Sequence, residues 1–150
     1  MNQYSKFEIA LEYLEAAIEE RELHQRYFAS MNLAGVAEEL LGKIIRVTGG
    51  TDQLTQAVDL LDSIQGIAAE SIDWEPRSKK KLKELLNSTK NGIKHMDNGS
   101  DSNAKLYFDV EEESKWQIQA AIRNLDILEY YHSGTVKRFI EKYEKIKSEP

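Results

Sequence analysis

Cysteine is missing from this 150-residue chain, and proline occurs only twice, at Pro76 and Pro150. Without thiols there can be no disulfides, thiolate zinc sites or cysteine nucleophiles. The absence fits a reducing compartment, and a cytoplasmic location is expected. Long apolar runs are lacking too: none approaches the ~20 residues of a membrane helix. Met1 to Glu20 is acidic and amphipathic, without the basic flank and apolar stretch of a signal peptide. Neither membrane association nor a targeting segment is expected. Sustained alternation of apolar and polar residues is absent, so nothing signals a strand. A Gly-rich phosphate loop, a Gly-x-Ser-x-Gly elbow and a dinucleotide fingerprint are absent as well.

What is present repeats with helical period. Hydrophobic residues make up 41% of the chain, which suits a globular protein and argues against disorder. The expectation is one domain over 1–150, an all-α bundle of five to six helices. Ser5-Lys6-Phe7-Glu8 has the form of a capping box. The first helix should break near Arg21–Gln25, although no glycine or proline there rules out one continuous helix. A second, from about Arg26 to Val47, is apolar over more than one stripe and should meet neighbours on two sides. Gly35 and Gly42 share one of its faces, where missing side chains allow close approach. Gly49-Gly50 should cap it in left-handed geometry.

A third helix, from about Asp52 to Ile72, has Leu54, Ala57, Val58, Leu61, Ile64, Ala68 and Ile72 as its inner row. Trp74-Glu75-Pro76 closes the connection, and a fourth helix follows with Leu82, Leu85, Leu86 and Ile93 inward. The segment from Met96 to Phe108 reads as a polar loop. Asp109 with Glu112 marks a further start. The helix beyond it, to about Tyr131, has little polar face and should be central. Ser133 opens the last helix.

Charge is unevenly spread. The net charge is −6, yet Arg77 to His95 holds seven lysines and arginines against the single Glu84. On one continuous helix Lys79, Lys83, Lys90 and Lys94 fall within about 60° of one another, a ribbon suited to phosphates. The plain alternative is a solvated, lysine-rich face. At the end of this segment stands Lys90-Asn91-Gly92-Ile93-Lys94-His95. Histidine exchanges protons near neutral pH, and an adjacent lysine steadies negative charge. Lys90 and His95 would point roughly 140° apart on a regular helix. Their convergence requires loosening at Gly92 or a second subunit. Otherwise His95 is a surface residue at a helix end, where the dipole favours it.

Other groupings are weaker. Glu129-Tyr130-Tyr131-His132 is half of the Glu-x-x-His pair of a carboxylate-bridged metal bundle. His95 and His24 lack the matching glutamate, being preceded by Gly92 and Arg21. No metal and no cofactor are expected. Glu38-Glu39, Gln117 and Asn124 interrupt apolar faces, and line either a pocket, a subunit seam or the edge of an exposed stripe. Trp74 and Trp116 read as core or hinge anchors rather than base-stacking platforms.

Two stretches carry a resemblance. Asn32-Leu33-Ala34-Gly35-Val36-Ala37-Glu38-Glu39-Leu40-Leu41-Gly42-Lys43 resembles the alanine-rich helix of HEPN-like domains. Lys90-Asn91-Gly92-Ile93-Lys94-His95 resembles their signature of an arginine, four to six residues, then a histidine. The resemblance implies a helical bundle, often a homodimer with the signature segments facing each other. It further implies RNA or nucleotide binding and, in active members, metal-independent RNA cleavage. Carried over, His95 is the acid–base, Asn91 the polar orienter and Lys90 the cation, with Lys79, Lys83 and Lys94 guiding phosphates. Lys90 stands where arginine is expected; it keeps the charge without the planar two-pronged donor, which favours binding over catalysis. The rival expectation is a non-enzymatic dimeric helical module that binds another protein through its acidic faces and long loop.

Overall fold

Ser5 opens the first helix as its sequence suggests: its Oγ accepts from the Glu8 amide at 3.1 Å, and the Glu8 carboxylate accepts from the Ser5 amide at 2.7 Å. These hydrogen bonds also hold the Glu8 carboxyl below its ordinary pKa. The structure is a computed structural model describing residues 2–71, 75–94 and 105–144. The described residues form α1 (Lys6–Glu22), α2 (Tyr27–Val47), α3 (Gln53–Ser71), α4 (Lys79–Leu86), α5 (Ser88–Gly92), α6 (Val110–Ile127) and α7 (Gly134–Glu144). The protein is all-α, with seven helices among the described residues in place of five to six.

The extra helix comes from Asn87, which ends α4 and precedes α5 with ψ near 0°. Asn87, Ser88 and Thr89 are poor helix formers whose side chains compete for backbone groups. Ser88 Oγ donates to the Leu85 carbonyl at 2.7 Å. Between α1 and α2 the break falls at 23–26, where Gln25 takes φ 54°, so the two are separate helices. Gly49 adopts φ 85° just beyond α2, the left-handed cap its sequence announced. Asp109 caps α6 by accepting from the amides of Glu111 and Glu112.

The core lies among α1, α2, α6 and α7. Leu14 and Ile18 of α1, Leu41 of α2, Ile118 and Leu125 of α6, and Phe139 of α7 meet there, each buried. Full burial of such a side chain stabilises by about 1.5–3 kcal/mol. Ala10, Ala17, Ala34, Ala37 and Ala121 carry the helices close together. Helix α2 packs on both α1 and α6, as its broad apolar surface requires. A buried Arg21 ties three helices: its Nε donates to Ser114 Oγ at 3.1 Å, its guanidinium meets Glu22, and it lies over the Tyr143 ring.

Helices α3 to α5 form an arm laid against this core through limited contacts with α2 and α6. Gln65, buried, holds the chain ahead of α4 by pairing with both the amide and the carbonyl of Arg77. Ser78 then caps α4, two residues beyond Pro76. The arm explains where the expected inner rows fail: Leu85, Leu86 and Ile64 are exposed, because only Leu82 and Val58 reach dense packing. Trp116 is exposed, not a core anchor; Trp74 and Ile72 lie outside the described residues. No described helix is long and apolar enough to cross a membrane.

Candidate functional site

Where α4 turns into α5, the arm faces the outer side of α2 across a groove of about 340 Å³. Glu39, Lys43 and Arg46 follow one another down one stripe of α2, at helical spacing. From the arm come Lys83, Asn87, Lys90, Asn91 and Lys94. Five cationic side chains therefore border the groove, against Glu38 and Glu39. Lys83, Asn87, Lys90, Asn91 and Lys94 recur at helical spacing, so α4 and α5 present one face to α2 across the break at Asn87.

The pairing inside this set is specific. Lys90 Nζ donates to Glu38 Oε2 at 3.1 Å, and both side chains are nearly enclosed, at 11% and 5% exposure. Gly35 makes the contact feasible: a Cβ there would stand 2.9 Å from Lys90 Cδ, so the lysine stem runs along bare backbone. Lys43 pairs with Glu39 at 2.9 Å, and Arg46 with the buried Asp52. Lys83 and Lys94 have no carboxylate within 4.0 Å among the described residues. Burial, then the neighbouring Lys90 charge, pulls the Lys94 pKa below its ordinary value, despite Glu39 and Glu38 opposing the shift. A half-buried ammonium beside another is a place where an anion relieves repulsion.

Behind the groove, a buried polar lattice fixes α2 to α3 and α6. Asn124, fully buried, donates to the Glu38 carbonyl at 3.0 Å and accepts from the Gln53 amide at 2.9 Å. Asp52 accepts from the Thr55 amide at 3.0 Å and so caps α3. Gly42 gives these groups room; a Cβ there would lie 2.9 Å from Asp52 Oδ2.

The sequence-predicted residues separate accordingly. Lys83, Lys90, Asn91 and Lys94 come together at the groove. Lys79 does not join them: it turns to α3 and pairs with Asp59 at 2.7 Å, with Asp62 beyond it, which raises its pKa. The single ribbon of four lysines thus becomes a groove of three and a separate ion pair: Lys79, in the first turn of α4, is taken by Asp59 of α3, while Lys83, Lys90 and Lys94 keep to one face. His95 lies outside the described residues. Of the acidic pair, Glu38 is buried and Glu39 stands at the rim. Lys43, Arg46 and Asn87 were not singled out by sequence. The Glu39–Lys43–Arg46 spacing was the available signal.

Elsewhere, His132 Nε2 meets Asp126 Oδ1 at 2.6 Å in the turn between α6 and α7, where Glu129 takes φ 53°. Among the described residues no three histidine or carboxylate side chains gather as a metal site would require. No family model, curated protein or solved structure matches the chain.

Proposed function

We propose that the chain is a HEPN-like helical protein that binds RNA or nucleotide phosphates in the groove between α2 and the α4–α5 corner. The observation supporting this is the cation set, in which Lys83 and Lys94 stand beside Lys90 with no carboxylate of their own among the described residues. Lys83 and Lys94 donate to phosphate oxygens, and Asn91 offers an amide at the same rim. Lys90 keeps two of its three ammonium protons for a ligand while Glu38 takes the third. That division of Lys90 favours holding an anion over stabilising the charge that grows during cleavage. Metal-independent RNA cleavage is the further extent of the proposal and depends on His95 as the acid–base.

The test is affinity for a labelled oligoribonucleotide. Binding should be measurable at low salt and fall steeply as salt rises, since bound phosphates release counterions. Replacing Lys83 and Lys94 together by glutamate should abolish it. His95→Ala should remove any cleavage while leaving the fold and binding in place. A protein without RNA affinity even at low salt refutes the proposal.

That failure would favour a second reading, a homodimeric interaction module. Its specific support is Leu60, Ile64 and Ile67, an exposed apolar row along α3 at helical spacing. Ile64→Lys should then shift the protein from dimer to monomer in light scattering.

A further inference from the structure

Asn87, Glu38 and Leu54 border the cationic groove on one side and a second cleft, of about 350 Å³, on the other. This cleft lies between the arm and α6. One wall is Trp116, whose 56% exposure leaves much of an indole open to solvent. Leu85 and Leu86, also exposed, line the same space. Around it stand amide and hydroxyl groups, Asn87, Thr89 and Gln117, with Arg123 and the carboxylates of Glu38 and Glu113 at its border. An open aromatic surface, flanked by groups that donate and accept hydrogen bonds, adjoins a row of cations within one continuous surface. That is the makeup of sites for single-stranded nucleic acid, where an aromatic takes a base and lysines track the backbone.

We infer that this cleft receives an unpaired nucleobase of single-stranded RNA, stacked on the Trp116 indole, while the adjoining phosphates lie along Lys83 and Lys94. The inference rests on the groove binding RNA and adds which form of RNA it takes. A base in a duplex has both faces covered by its neighbours and cannot reach the indole without unstacking. Stacking uses a face that every base has, so the cleft selects strandedness more than sequence.

The chain has two tryptophans, so Trp74→Phe leaves Trp116 as the sole indole reporter. In that background, titration with a short single-stranded oligoribonucleotide should quench the emission, saturating as binding saturates. An abasic strand of equal phosphate number should bind without the quench. Trp116→Ala should weaken single-strand binding by about fivefold or more, the lower end for a stacked base, with the salt slope unchanged and duplex affinity unaffected. Trp116→Phe should restore most of the loss. The base site is overturned if RNA binds with its salt dependence while Trp116 emission stays constant. It is equally overturned if Trp116→Ala weakens single strand and duplex alike. Absence of any RNA binding would instead overturn the reading of the groove beneath it.

Discussion

The four-helix core and the arm both carry rows of apolar residues at helical spacing, but they use them differently. In α1, α2, α6 and α7, leucine and isoleucine positions interlock with alanines and are almost wholly enclosed. In α3 to α5, comparable residues such as Leu60, Ile64, Ile67, Leu85 and Leu86 remain exposed. The core fixes the frame; the arm carries the lysines and leaves grooves on either side of Asn87. A site for an extended ligand belongs at such a boundary, with one wall rigid and the other lightly packed.

The largest contrast should appear on truncating leucines. Leu41→Ala or Leu125→Ala should cost about 2–5 kcal/mol, whereas Leu85→Ala should change stability by no more than about 0.5 kcal/mol, in urea unfolding. Equal losses would erase the distinction between core and arm. Next comes the joint between them. Glu38→Ala should destabilise by about 3 kcal/mol, the low end for a broken buried pair, because the long lysine stem can carry its ammonium toward the groove mouth. The same variant should bind RNA more tightly at low salt, as the groove loses its enclosed carboxylate.

Two glycines sharpen the comparison further. Gly42→Ala should destabilise by about 1–3 kcal/mol despite the better helix former, since the fully buried Asp52 and Asn124 cannot yield. Gly35→Ala should stay within about 1 kcal/mol of wild type, because the gain in helix propensity offsets a shift of the flexible Lys90. The smallest effect concerns acid. Burial alone would raise the Glu22 pKa, but hydrogen bonds from Lys142, Tyr143 and Arg21 outweigh it and hold the carboxyl below its ordinary range. This cluster stabilises fully above the ordinary glutamate pKa and is lost as pH falls through the lowered value. Glu22→Gln should flatten that acid decline by at most about 1 kcal/mol, the groups being partly solvated.

The core was readable from sequence because its signals are local and repeated. The capping box at Ser5, the glycine end of α2, the Asp109 start and the 3.6-residue rows each depend on a few neighbouring residues. The arm was harder. Periodicity marked Leu85 and Leu86 as inward, but whether a helix face is covered depends on partners far along the chain. The charge ribbon divided between Lys79 and Lys83 for a related reason: Asp59 and Asp62 of α3, some 20 residues away, take Lys79, while Lys83, Lys90 and Lys94 face α2. Glu38 was visible as an anomaly on an apolar face, yet its partner Lys90 lies 52 residues away and no spacing rule connects them. Trp116 could not be recognised as exposed without knowing that α4 leaves it uncovered.

The most direct test of the groove is a charge-matched comparison of salt slopes. Lys83→Ala with Lys94→Ala removes two charges from the groove. Lys80→Ala with Lys81→Ala removes two from the exposed part of α4, outside the groove. For single-stranded RNA each lost phosphate contact should reduce the slope of log affinity against log salt by about 0.7. The groove pair should therefore flatten it by roughly 1.4, while the outer pair leaves it unchanged. Equal flattening by the two pairs, or none by the groove pair, would contradict a built phosphate site.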